Sequence, residues 1–220
     1  MPLASDAAYR EIKDWIQTGK IAPGGLIDEA DAIDKLGMSR TPVREALLRL
    51  QSEGYLEIRR HKGIRVLPLS SSDMREMYQV ISALETMAVS LIAKHRPDAE
   101  AFQPVNDALA DMQDHLDAGD IDKWGLADER FHRELMRLSG NKKLYQSGCQ
   151  MRDLAQRAHM VALRLQTDAY RQRSTRTHVK MIETLMSKRA PQAAVEHQAQ
   201  RERGEDALVG IVEKFQLTSL

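Results

Sequence analysis

Cysteine, aromatic residues, net charge and long apolar runs are all scarce in this chain, and each scarcity excludes something. The single cysteine, Cys149, cannot close an intrachain disulfide. That removes disulfide-stapled secreted scaffolds and fits a reducing compartment, and the thiol reads as a small buried hydrophobe. Aromatics are 5% of the residues, so core packing falls to aliphatic side chains and to eleven adaptable methionines. No window reaches the roughly 18 uninterrupted apolar residues of a membrane span. The N-terminal MPLASDAAYREIK lacks the apolar stretch of a signal peptide, and the expected location is the cytoplasm. Formal net charge is zero, so the molecule as a whole is no polycation. What remains is 42% hydrophobic residues in 220, enough to bury a real core in one or two domains.

The charge is unevenly spread. Between Arg40 and Arg65 lie seven basic residues (Arg40, Arg44, Arg49, Arg59, Arg60, Lys62, Arg65) against three acidic ones, Glu45, Glu53 and Glu57. A basic segment inside a neutral protein is the footprint that a phosphate backbone requires.

Periodicity places elements around that segment. Ala8, Ile12, Trp15 and Ile16 recur at helical spacing before Gly19, and Pro23-Gly24-Gly25 makes a turn. A short helix fits Glu29–Leu36, closed by Gly37. A third runs from about Thr41 to Glu53, with Val43, Ala46, Leu47 and Leu50 as one apolar stripe. Two strand-like runs, Tyr55–Ile58 and Ile64–Leu67, flank Arg59-Arg60-His61-Lys62-Gly63 and predict a two-stranded wing. Pro68 and the serines 70–72 are the linker candidate. Beyond it the pattern is helical throughout, over about 72–95, 98–118, 120–139, 142–166, 168–188 and 190–217, with breaks at Pro97, Gly119, Gly140-Asn141 and Pro191. Short loops favour an antiparallel bundle. The expected fold is mainly α, with a winged helix-turn-helix over 1–68 and a six-helix effector-binding and dimerisation domain over 69–220.

The most specific stretch is Ser39-Arg40-Thr41-Pro42-Val43-Arg44-Glu45-Ala46-Leu47. Thr41 is expected as the N-cap and Pro42 as the first helical residue. The stripe then faces the core and turns Arg40, Thr41, Arg44 and Glu45 outward. An exposed helix N-terminus attracts phosphate, and an arginine there can lie bidentate on guanine in the major groove. Arg49 is counted with them, and Arg60, His61, Lys62 and Gly63 would bring the wing to the backbone or minor groove.

These residues carry a resemblance. Ile16, Gly19, Pro23-Gly24, Glu29, Leu36-Gly37, SRTPVREAL, Gly54 and Lys62-Gly63 with Val66 look like the DNA-binding domain of GntR-type bacterial regulators. The helical remainder resembles the FadR-type (FCD) effector domain, and six helices rather than seven point to its VanR-like branch. The resemblance implies that Arg40 and Arg44 contact operator bases and that the wing enters the minor groove. Where many relatives carry a DNA-contacting arginine in the second helix, this chain has Ala30.

A second constellation lies in the helical part. Asp128 and His132 are four apart and share a helix face; His178 opens an apolar stretch of a later helix. A carboxylate and imidazoles from separate helices of a bundle suit a divalent metal or a polar, hydrogen-bonded cavity. FadR-type domains that bind metal use an Asp and a His in a D-x-x-F-H-like motif plus two further histidines. Asp128, His132 and His178 match three of these positions, implying Zn, Ni or Mn. The fourth falls at Gln200 or, one turn earlier, His197. His115 and His159 have no spaced partner and read as surface or partly buried. For the effector, the family arginine three residues before Leu84-Glu85 is Ile81 here. Arg130 and Arg152, with Arg157 and Arg164, are the replacements within reach of a carboxylate ligand.

Two functions follow. One is a dimeric, ligand-responsive transcriptional regulator, a repressor on a palindromic operator. The other is a metal-dependent enzyme domain fused to a DNA-binding module. The chain has no nucleophile elbow and no phosphate-cradling glycine loop, which favours the regulator.

Overall fold

The computed structural model describes residues 3–60, 63–187 and 189–215, and divides after Ser70 into two compact units. The first unit holds α1 (Ala4–Gln17), β1 (Leu26–Ile27), α2 (Glu29–Leu36), α3 (Arg40–Ser52), β2 (Leu56–Arg59) and β3 (Gly63–Val66). The apolar stripes set its packing: Ala8, Tyr9, Ile12 and Ile16 of α1 bury against Val43, Ala46, Leu47 and Leu50 of α3. Asp28 caps α2 by accepting from Ala30 and Asp31 N–H, and Gly37 ends it at φ 61°, a left-handed conformation that an alanine would adopt only with strain.

Two local expectations change. The wing has three strands in the order β1-β3-β2, because Leu26 and Ile27 pair antiparallel with Arg65 and Ile64. A two-residue strand leaves no alternation to read. Helix α3 begins two residues before the expected Pro42, with Ser39 in the extended N-cap position and no side-chain cap bond, so Thr41 is a first-turn residue and not the cap. Pro42 still costs nothing there, since the first turn's N–H groups have no intrahelical acceptor.

The second unit contains α4 (Ser71–His95), α5 (Gln103–Asp117), α6 (Ile121–Leu138), α7 (Lys142–Leu165), α8 (Asp168–Met186) and α9 (Ala190–Lys214). Helix α5 is shorter than the expected 98–118. A 3-10 turn at Glu100–Phe102 precedes it, and Pro104 sits in its first turn, where prolines are tolerated. Asp120, Asn141 and Thr167 cap the next three helices through their side chains. Helix α4 is central, packing on α6, α7, α8 and α9. Its buried stripe runs Met74, Tyr78, Ile81, Glu85, Ala88, Val89, Ile92, with a glutamate where a hydrophobe belongs.

Packing between α6 and α7 is close at Gly148, where an added Cβ would collide with Met136 Sδ. A Cβ at Gly210 of α9 meets nothing within 4 Å. Gly148→Val should therefore lower stability by about 1–3 kcal/mol. Gly210→Ala should raise it by about 0.5–1 kcal/mol through helix propensity alone. Thermal melts of the two variants read opposite signs; equal shifts would mean that α6 and α7 do not meet at Gly148.

Candidate functional site

In the first unit the candidate site is the start of α3. Arg40 is three-quarters exposed, with its Nε 3.6 Å from Glu29 Oε1. Thr41, Arg44 and Glu45 are exposed beside it, and Arg44 stands one turn along on the Arg40 face. Arg49 does not join them. Five residues after Arg44 the helix has turned away, and Arg49 stacks on the Tyr9 ring (3.8 Å to its centroid) while its Nε lies 3.0 Å from Glu53 and its NH1 3.3 Å from Asp6. It is a strut between α1 and α3 and leaves the DNA-reading set. Two other cations of the basic segment are also engaged, Arg59 with Glu57 at 2.9 Å and Arg65 with the Gly24 carbonyl at 3.2 Å. On the wing, Arg60 and Gly63 are exposed; His61 and Lys62 lie outside the described residues.

In the second unit, Asp128, His132 and His178 are buried, and one ligand atom of each lies within 4.8 Å of the others. Asp128 Oδ1 is 3.1 Å from His178 Nε2, and Oδ2 is 3.8 Å from His132 Nε2. The rear nitrogen of each ring is also placed. His132 Nδ1 lies 3.1 Å from Glu85 Oε2, and His178 Nδ1 lies 2.9 Å from the Gln200 amide. A carboxylate or amide behind the ring fixes the tautomer that leaves Nε2 for a cation. Burial, opposed by Glu85 and Asp128, pushes His132 down to about 3, so the ring is neutral at pH 7 as a ligand must be. Burial works to raise Asp128, but the imidazoles of His132, His159 and His178 hold it well below the usual carboxylate range. Among the described residues no lysine or arginine ion-pairs with Asp128. A buried carboxylate with imidazole nitrogens on both of its oxygens fits a divalent cation.

His197 is fully buried but faces Glu85, with Nε2 3.6 Å from Oε2, and does not line the cavity; it drops out as the fourth position. The reason is helical phase: three residues before Gln200, it turns toward α4. Arg152 is not an effector clamp either. It donates to Glu85 at 2.6 Å and to Glu129 at 2.9 and 2.6 Å, so two carboxylates occupy its fork. Arg130 is on the surface, 2.7 Å from Asp111. Ile81 is core, 1% exposed.

The cavity over the cluster is lined by Tyr170, Arg173, Ser174, Thr177, Arg203 and Leu208 as well as by Asp128, His132, His159, His178, Gln200 and Arg201. Sequence reasoning missed Glu85, Arg201 and His159. Each interrupts an otherwise apolar helix stripe: Glu85 between Ile81 and Ala88, His159 among Ala155, Ala158 and Ala162, Arg201 after Ala193 and His197. That interruption was the available signal.

Arg152 joins α4, α6 and α7 through buried charges. Arg152→Met should leave Glu85 and Glu129 underpaired and cost about 3–5 kcal/mol. Lysine should rescue little, lacking the planar fork. The measurement is a melt of both variants; a melting point equal to that of the parent would deny the network a structural role.

Both units resemble known protein families. Residues 4–66 match the family described as bacterial regulatory proteins, gntR family, and residues 76–200 match the FCD domain. An uncharacterized HTH-type transcriptional regulator in the TAR-I ttuE-ttuC' intergenic region of Agrobacterium vitis is 41% identical over 132 residues, 59% of this chain and 77% of that protein. The HTH-type transcriptional repressor GlaR of Escherichia coli is 28% identical over 74% of this chain and 76% of its own. Other relatives are matched over less of their length, such as the Nta operon transcriptional regulator of Aminobacter aminovorans, 35% identical over 56% of this chain and 57% of its own. Among solved structures, E. coli McbR/YncC has the same fold, with a TM-score of 0.77 at 20% identity over 96% of this chain and 98% of that one.

Proposed function

The chain belongs to the GntR family of bacterial transcriptional regulators, with an FCD domain behind its DNA-binding unit, and from that premise we propose that it is a cytoplasmic, ligand-responsive repressor of a metabolic operon, binding a palindromic operator as a homodimer. Members of this family regulate transcription and are not enzymes. The observation that carries the reading is the exposed pair Arg40 and Arg44 at the start of α3, beside Thr41 and Glu45 and free of the packing that holds Arg49. Arg40 and Arg44 read bases in the major groove; Thr41 and Glu45 complete the reading face. Arg60 and Gly63, with His61 and Lys62, form the wing's contact to backbone or minor groove. Acidic α2 contributes little affinity, with Glu29, Asp31 and Asp34 around Ala30. Two-fold symmetry follows from the small footprint of one reading head, since paired half-sites about one helical turn apart supply the rest. The six-helix second unit supports the VanR-like branch.

The second unit is the sensor. Asp128, His132 and His178 would hold a divalent cation, Zn, Ni or Mn, which would supply a fixed positive charge for an oxygen atom of the effector. The cavity has a volume of about 90 Å³, several times what one buried water needs. That suits a small metabolite. Arg173 and Arg203 are exposed residues of its lining, which also includes Ser174 and Thr177. They take the role expected of Arg130 and Arg152 and select an anionic, hydroxyl-bearing effector. Regulation requires different effector affinity in the DNA-competent and incompetent states.

Arg40→Ala and Arg44→Ala should each weaken binding to the operator by about 1–3 kcal/mol while leaving random DNA nearly unaffected. Fluorescence anisotropy on both duplexes makes the measurement. Equal losses on the two would reduce the arginines to phosphate contacts and remove base reading from α3.

A further inference from the structure

Three protein ligands are one short of the four that a closed tetrahedral site uses. We infer that His159, on α7, supplies the third imidazole of the metal site, and that Gln200 stays outside the ligand shell as the group that orients His178. This rests on the metal reading of the same cluster.

Three Nε2 atoms converge on one carboxylate. His178 lies 3.1 Å from Asp128 Oδ1, and His159 and His132 lie 3.6 and 3.8 Å from Oδ2. The His159 side chain is 9% exposed, it lines the same cavity, and its Nε2 has no hydrogen-bond partner. A buried nitrogen without a partner is costly unless something binds it. Behind each ring lies a polar group, hydrogen-bonded to Nδ1 in His178 and His159 and 3.1 Å away without a hydrogen bond in His132. Glu85 sits at His132 Nδ1, the Gln200 amide at His178 Nδ1, and the Tyr78 hydroxyl at His159 Nδ1. Each of these groups can accept the Nδ1 proton, the Gln200 amide by turning its oxygen inward, and so leave the Nε2 lone pair for the ion. Gln200 touches the edge of His178 opposite Asp128. A ligand on that edge would sit on the far side of the His178 ring from Asp128. The resulting donor set, three imidazoles and one carboxylate, is drawn from α6, α7 and α8.

The test uses the full chain and two probes, Co²⁺ read by its visible d–d absorption and Zn²⁺ by competition with a chromophoric chelator. The parent protein should give an intense four-coordinate Co²⁺ spectrum. His159→Ala should weaken Zn²⁺ binding more than about a hundredfold and change the spectrum. Gln200→Ala should keep the band shape and lose about 10–100-fold in affinity, the range for an orienting partner. Gln200→His keeps His159 and Tyr78 in place, so it answers even if His159→Ala fails to fold; it should leave the spectrum unchanged. Parent protein that takes up no Co²⁺ would overturn the metal reading together with this one. Parent protein that binds Co²⁺, with a new nitrogen ligand or tighter Zn²⁺ binding in Gln200→His, would overturn this inference alone.

Discussion

Glu85 is the constraint around which the helical unit is arranged. It is 0% exposed in the middle of the buried stripe of α4. Burial alone would raise it, yet Arg201, His132 and Arg152 around it hold it well below the usual carboxylate range, so it stays ionised. Taking such a charge out of water costs several kcal/mol and is tolerated only with well-placed partners. The partners come from three directions: His132 from α6, Arg152 from α7, His197 and Arg201 from α9. A hydrophobic stripe admits many sliding arrangements of similar energy. A buried carboxylate that must meet four particular side chains admits few, and this fixes the phase of α6, α7 and α9 about α4.

The same constraint assigns roles to the arginines. Arg152 is shared between Glu85 and Glu129, and Glu129 also meets Arg133 at 2.7 Å. Those guanidiniums balance charge inside the protein and have no capacity left for a ligand. Arg173 and Arg203, exposed in the cavity lining, have no such buried obligation. Burial and pairing therefore separate the structural arginines from those that can recognise an anion.

Much of this architecture was legible in the sequence, because helix ends carry local chemistry. Gly37, Gly119 and Gly140-Asn141 end or start helices where turn and cap residues require it. The stripe of Val43, Ala46, Leu47 and Leu50 identified the core face of α3, and by elimination the outward face of Arg40 and Arg44. Spacing also brought Asp128 and His132 onto one face. What local pattern could not supply is the partner across the bundle. Arg152 and Arg130 are alike in sequence, yet one lies between two carboxylates and the other on the surface beside Asp111. His159 lacked a spaced partner on its own helix because its neighbours, Tyr78 and Asp128, come from α4 and α6. Arg49 joined the DNA-reading set on charge alone, and the Tyr9 ring that claims it is forty residues away.

The charge balance of the buried cluster also says where a cation belongs. Three carboxylates meet there, Glu85, Asp128 and Glu129, and two of them have guanidiniums within 2.6 Å. Asp128 has imidazoles only, and His132 is held neutral by burial. Desolvation penalises an ionised carboxylate left with dipoles alone. Protonating it would remove the charge, but its hydrogen-bonding surroundings oppose that. A divalent ion at Asp128 would neutralise the one of these three carboxylates without a guanidinium partner, and would take up lone pairs of the rings beside it. An anion entering beside Arg173 and Arg203 would then meet positive charge both from these arginines and from the ion. Without the ion it would approach the bare Asp128 carboxylate and be repelled. On the proposed reading, metal loading would change the sign of the cavity floor, and recognition of an anion would depend on it.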